Sequence, residues 1–256
     1  MTEKRRFLML ALISTLLLVS CASEEPAYTL PQRQFSDHAE QNKAEKQFSE
    51  NDPAQTLNKN IYVFNAQLDD YVLLPVVNAY TDVTPDFLRR GITNFFLNVS
   101  EITNFTNALL QIRPVKAGQT LSRFVINTTI GLAGTFDVAT LWGVEREPED
   151  FGKTLGYWGA GPGIYIVLPA LGPSNLRDTI GKIADYATLY FIIPKSVQDT
   201  AVYDVASYGL QPINERYTND FRYFSTGSPF DYELVRFIAT EAREQEIAND
   251  SKPAQP

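Results

Sequence analysis

NDPAQTLNKNIYVFNAQLDDYV, residues 51–72, opens the folded part of the chain and sets its structural class. Asn51 and Asp52 precede Pro53, which places a capping residue ahead of a proline at the first helical position. Leu57, Ile61, Phe64, Leu68 and Val72 then recur at steps of four, three, four and four residues. That period predicts one helix with a clear apolar face, ending before Pro75. Thr84-Pro85 repeats the start signal ahead of Leu88, Ile92, Phe95 and Val99, and Ser100-Glu101 can restart a helix through Leu110. Leu121, Phe124 and Val125 mark a further helix that stops near Gly131 or Gly134. Ser174 is placed to cap a helix carrying Leu176, Ile180, Ile183 and Ala187, and Ser196 one carrying Val197, Ala201, Val205 and Tyr208. A last helix, from about Pro229 to Ile247, carries Leu234, Phe237 and Ile238. Strand signals are few, chiefly residues 164–168, so the body reads as all-α.

Upstream, Lys4, Arg5 and Arg6 precede an apolar run over residues 7–19. It is too short for a bilayer's roughly 30 Å of hydrocarbon, which needs about 20 residues, and it reads as a signal peptide. The run closes in Leu18-Val19-Ser20-Cys21, which resembles the bacterial lipoprotein cleavage box. Cys21, the only cysteine in the chain, then becomes the acylated mature N-terminus. With Ala22 and Ser23 following in place of aspartate, that resemblance implies delivery to the outer membrane, anchored by lipid and facing the periplasm. No internal disulfide is available. The expected organisation is a signal peptide over 1–20, a disordered tether over 21–50, a helical domain over 51–248 and a loose tail over 249–256. The tether spans roughly 30 Å on average.

The formal net charge is -8, and removing residues 1–20 takes away three cations and Glu3, leaving -10. That balance disfavours nucleic acid and electrostatic attachment to anionic lipid. Outside the signal no apolar run reaches about 18 residues, so single helices do not span a bilayer. They either lie in its interface or pack into a soluble core.

Six of the 14 glycines fall between positions 143 and 163. This glycine-rich stretch lacks the Gly-Lys-Ser/Thr of a phosphate loop and reads either as a long irregular connection or as a functional element. His38, the only histidine, lies in the tether. A catalytic triad and histidine-ligated zinc are thereby excluded from the body. Asp69-Asp70 and Glu149-Asp150 remain as acid pairs, more often solvated surface than glycosidase machinery. Arg177-Asp178 reads as a helix-surface or interhelical ion pair. No catalytic residue, cofactor or metal is expected.

Ordered blocks link these features. They run from Asp52-Pro53, Asn58, Phe64-Asn65 and Leu68-Asp69 to Asn94-Phe95, Asn98 and Leu110-Gln111. Arg123-Phe124, Asn127-Thr128, Gly131, Gly134 and Phe136-Asp137 follow. The most specific block is Asp150-Phe151-Gly152, Thr154-Leu155-Gly156, Gly159, Gly161, Tyr165, Pro169, Gly172 and Arg177-Asp178. Together they resemble the MlaA (VacJ) family of outer-membrane lipoproteins, well over residues 51–185 and more loosely to about 243, where Pro229 and Arg236 echo a final helix. Lys59 departs from the arginine common there.

The resemblance implies a single ring-like helical domain in the inner leaflet of the outer membrane, with a central amphipathic channel. It implies removal of mislocalised phospholipid from the outer leaflet, association with a trimeric porin, and delivery to a periplasmic lipid-carrier protein. The candidate gating residues are Gly159, Gly161, Gly163 and Tyr165 in a mobile element, with Phe64 and Asn65 on a facing helix. The alternative places Phe64 in the core and Asn65 in local hydrogen bonds. Two other functions stay open, a scaffold that binds porins without moving lipid and a periplasmic hydrolase using a carboxylate pair.

Overall fold

The computed structural model describes residues 52–225, 227–228 and 230–250. The signal peptide, Cys21, the tether with His38, Asn51, Pro229 and residues 251–256 lie outside the described residues. Helices dominate: α1 (Gln55–Leu68), α2 (Leu74–Val83), α3 (Asp86–Leu110), α4 (Pro114–Thr129), the short α5 (Val138–Leu141) and α6 (Phe151–Tyr157). A two-stranded hairpin follows, β1 (Tyr165–Leu168) and β2 (Gly172–Asn175), then α7 (Leu176–Ile192), the one-turn α8 (Lys195–Gln198) and α9 (Ala201–Asp204), α10 (Gln211–Tyr217) and α11 (Asp231–Asp250).

Several boundaries differ from the sequence expectation for identifiable reasons. The first helix does not end before Pro75. A π-helical turn, Asp69–Leu73, joins α1 to α2, and the Leu74 amide donates to the Asp69 carbonyl five residues back. Widening the helix there accommodates a ring that removes a donor and crowds the carbonyl four residues earlier. The same device recurs at Val205–Leu210 ahead of Pro212. At Thr84-Pro85 the extended residue before the helix is Pro85, and the Thr84 carbonyl instead accepts from Arg89 at 2.7 Å. No restart occurs at Ser100, because α3 runs unbroken. Asn175, not Ser174, caps α7, accepting from the Asp178 amide at 2.8 Å. The helix expected from Ser196 is broken, and Thr200 caps its second piece. Finally, α11 extends through Asp250, so residues 249 and 250 belong to the helical body.

The hairpin is held from outside by α1. β1 pairs antiparallel with β2, Tyr165 facing Asn175 and Leu168 facing Gly172. Asn58 donates to the Tyr165 carbonyl at 3.1 Å and accepts from the Val167 amide at 2.9 Å. One heptad on, Asn65 donates to the Leu168 carbonyl at 2.9 Å and accepts from the Ala170 amide at 2.8 Å. Two helix amides thus stand in for a third strand. The second also steadies Ala170, whose φ of 62° is left-handed.

The small apolar core lies against this clamp. Tyr62, Tyr165, Val167 and Tyr232 are buried together, and Tyr62 meets Tyr223, Phe224 and Tyr232 edge-on at centroid distances of 4.9, 5.3 and 5.6 Å. Asn58→Ala should destabilise the fold by about 2–4 kcal/mol, since it strands a buried amide and carbonyl of β1. Leu57→Ala, one residue away and exposed, should stay within about 0.5 kcal/mol. Thermal unfolding of the two variants side by side checks the contrast.

Candidate functional site

The apolar faces that located the helices point mainly outward. Leu57, Val72, Leu88, Leu121, Val125, Ile180, Ile183, Val205 and Phe237 are all exposed, and Val115, Leu141 and Phe191 are more than 80 % so. Among the described residues, buried polar and charged side chains outnumber buried apolar ones by more than two to one. Soluble domains show the opposite arrangement. No described helix is long and apolar enough to cross a membrane.

The interior is a connected polar lattice. Along α3, Asn98, Glu101, Asn104, Asn107 and Gln111 share one buried face. Asn104 donates to Glu101 at 2.8 Å and accepts from the Glu149 amide at 2.9 Å. Asn107 donates to Asp185 at 2.8 Å and accepts from Thr154 at 2.9 Å. Gln111 donates to Glu149 at 2.8 Å. From α4, Arg123 donates to Glu101 at 2.9 Å and forks onto both carboxylate oxygens of Asp137 at 3.1 Å. Lys116 bonds Glu149, and reaches Asp250 of α11 at 2.9 Å.

A second group of charges fastens α11 to α6 and α7. Arg243 donates to Asp150 at 2.6 Å and Asp178 at 3.0 Å, and Arg177 to Glu244 at 2.7 Å. Arg177 and Asp178 meet each other at 3.2 Å within α7, and each also pairs across to α11. Helices α6 and α7 touch closely enough that a Cβ on Gly181 would sit 2.4 Å from the Gly152 nitrogen. Burial pushes the Asp178 carboxyl up, and the hydrogen bonds and charges of Arg243 and Arg177 outweigh it, holding the group below its ordinary value of 3.8.

The remaining acid pairs are spoken for in the same way. Asp69 is gripped by Arg216 with one contact at 2.8 Å, Glu149 is buried, and Asp150 caps α6. Asp70 is exposed. Lys59, at the position where arginine is common, meets Glu233 at 2.9 Å and lies 5.5 Å from the Tyr232 ring centroid.

The sequence-derived candidates divide. Asn65 is buried and bound to the hairpin turn, 103 and 105 residues away in the chain, while Phe64 is half-buried on the same helix. Tyr165 lies in the core under Tyr232 with centroids 6.3 Å apart. Gly159, Gly161 and Gly163 are exposed. Nothing lies within 4 Å of a Cβ built on Gly159 or Gly161, and Gly159 alone of those two has a left-handed φ, 90°. The hydrogen bonds of Asn65 reach residues 168 and 170, not the glycines. Residues 151–157 of the glycine-rich stretch form the ordered helix α6, with Gly152 and Lys153 buried.

Sequence reading missed the cleft that Asn65 borders. It has a volume of about 410 Å³ and lies between the end of α1, the hairpin turn, residues 219–225 and α11. Leu68, Leu171, Leu234 and Ile238 supply an apolar wall, with Arg222 at the same cleft. Its parts come from separate stretches between residues 65 and 239, so no local motif signals it.

Comparison with known proteins gives a consistent answer. A family model described as MlaA lipoprotein matches residues 50–246. The intermembrane phospholipid transport system lipoprotein MlaA of Haemophilus influenzae is 30% identical over 220 residues, covering 84% of this chain and 80% of that protein. The protein of that name from Escherichia coli K12 is 38% identical over 138 residues, 52% of this chain and 55% of its own. A solved structure, described as the structural basis for maintenance of bacterial outer membrane lipid asymmetry, superposes with a TM-score of 0.61 at 30% identity. It covers 77% of this chain and 98% of that one.

The depressed Asp178 carboxyl predicts an acid-sensitive fold. The unfolded chain takes up the proton first, so this contribution is complete above the ordinary pKa of 3.8. It is lost as pH falls through the lower folded value. Unfolding midpoints measured from neutral pH down to pH about 2.5 should fall steeply in the native chain. In Asp178→Asn they should start lower and fall less.

Proposed function

The chain belongs to the MlaA lipoprotein family, and from that premise we propose that it withdraws mislocalised phospholipid from the outer leaflet of the outer membrane. The lipid passes to a periplasmic lipid-carrier protein for return to the inner membrane, which maintains lipid asymmetry. The observation that carries the reading is the inverted distribution of side chains. An exterior of leucine, isoleucine, valine and phenylalanine is favourable in hydrocarbon, where each such side chain otherwise exposed to water costs about 1.5–3 kcal/mol. A body immersed in one leaflet needs no spanning helix, and a polar, largely hydrogen-bonded interior is compatible with the passage of a headgroup.

In this reading Cys21 is acylated, the acyl chains being one attachment and the apolar exterior a second. A trimeric porin seats the body in the membrane. The loop through Gly159, Gly161 and Gly163 is the element that moves, and the open space around Gly159 and Gly161 supports that role. Phe64, Asn65 and Tyr165 set the fixed frame against which it moves. Moving a lipid requires no nucleophile, and the internal ion pairs of Asp69, Glu149 and Asp150 take away the main support for a hydrolase.

Deleting the gene and measuring surface-exposed phospholipid tests the function, with Cys21→Ala as a companion. A rise is expected in both strains. No rise in the deletion refutes transport and favours a porin scaffold, whereas a rise in the deletion alone makes acylation dispensable. Gly161→Trp is expected to raise surface phospholipid without lowering the unfolding temperature. Unchanged asymmetry in that well-expressed variant would remove the loop from the mechanism.

A further inference from the structure

The cleft beside Asn65 has an unusual charge inventory. Two carboxylates line it, Asp69 and Asp231, and either would repel an anion if free. Arg216 holds Asp69, while Asp231 accepts from the Tyr62 hydroxyl at 2.6 Å and the Phe224 amide at 3.1 Å. Arg222 differs. Among the described residues it donates only to the backbone carbonyls of Phe221 at 3.0 Å and Asn219 at 3.4 Å. It is exposed at the cleft with no carboxylate partner there.

The wall opposite is apolar and accessible. Leu171 is 50%, Leu234 38% and Ile238 55% exposed, the first presented from the hairpin turn and the other two one turn apart on α11. A guanidinium fork matches phosphate geometry, and a cavity within the roughly 300–1,000 Å³ of ordinary ligand sites suits a chain and headgroup edge. A second cavity, of about 320 Å³, is lined by Asp150, Asp178 and Arg243, which pair with one another, and by Lys182, and has no comparable apolar wall.

We propose that this cleft is a phospholipid-binding site, in which the phosphate of one lipid sits on Arg222 and an acyl chain lies along Leu68, Leu171, Leu234 and Ile238. The inference rests on the lipid-transport reading above and gives that path a resting place. The phosphate edge, common to all glycerophospholipids, is what Arg222 recognises, so selection among headgroups is weak. The π-helical turn carrying Asp69 and the hairpin turn held by Asn65 form its rigid sides.

Photocrosslinking of the purified full-length protein tests this, using a phosphatidylglycerol with a diazirine in one acyl chain. Labels should map to residues 171 and 234–238. Arg222→Gln should reduce them about tenfold, the loss of one charge-assisted contact pair. Arg222→Lys should recover part of the labelling, and Arg90→Gln, exposed on α3, should leave it unchanged. A diacylglycerol with the same diazirine chain should label poorly, and inorganic phosphate should compete only weakly. Labelling spread over the exterior and indifferent to Arg222, or equal labelling by diacylglycerol, overturns the proposal. Complete displacement by inorganic phosphate makes the site one for a free anion and also overturns it. An unlabelled cleft with raised surface phospholipid in the deletion strain defeats this inference alone. Unchanged surface phospholipid in the deletion strain defeats the transport reading whatever the crosslinks show.

Discussion

Arg123 is 2% exposed and surrounded by Glu101, Asp137, Thr140 and the Val144 carbonyl. A guanidinium removed from water at such a position is tolerable only when its donors are met by fixed acceptors, because an uncompensated buried charge costs several kcal/mol. The same constraint governs Lys116, Glu149, Arg236 and Arg177. A protein that turns its apolar side chains outward must complete its polar bonding inside, and the helix arrangement follows from that requirement. α3 and α4 are placed by Arg123, α6 by Asn107 and Gln111, and α11 by the ion pairs at both of its ends.

This interior gives specificity more than raw stability. Replacing a buried ion pair with matched hydrophobic residues is often neutral, yet removing one partner is costly. A lattice in which most members have more than one partner therefore favours one helix arrangement. Asp52 illustrates the point. It accepts from Asn58 at 2.8 Å, from Tyr232, and from Arg236 at 3.3 Å, joining the start of the described chain to a helix 180 residues later. The exposed glycines after α6 lie outside this locked frame.

Part of this organisation was legible in the sequence. Five apolar residues from Leu57 to Val72 located the first helix, and similar runs found α3, α4, α7 and α11. Period alone carries no sign, however. An apolar face has the same spacing against a protein core as against lipid tails. The complementary stripe from Asn98 to Gln111, at steps of three and four, does not supply the sign either, since so regular a run of amides and acids suits a polar interior as well as a solvated face. Pro75 read as a terminator because the widened turn that accommodates its ring leaves no mark in the apolar period.

The sequence by itself determined the helical class, the elements' approximate places and the family, since these rest on local spacing and on motifs preserved in order. Tertiary structure decided which face is inside, because burial depends on partners distant in the chain and on the medium outside. It also decided that Asn58 and Asn65 clamp a hairpin, that Asp150 and Asp178 share Arg243, and that Arg222 meets an apolar wall. Each of these joins groups tens to hundreds of residues apart, and only packing brings them within hydrogen-bonding or van der Waals range.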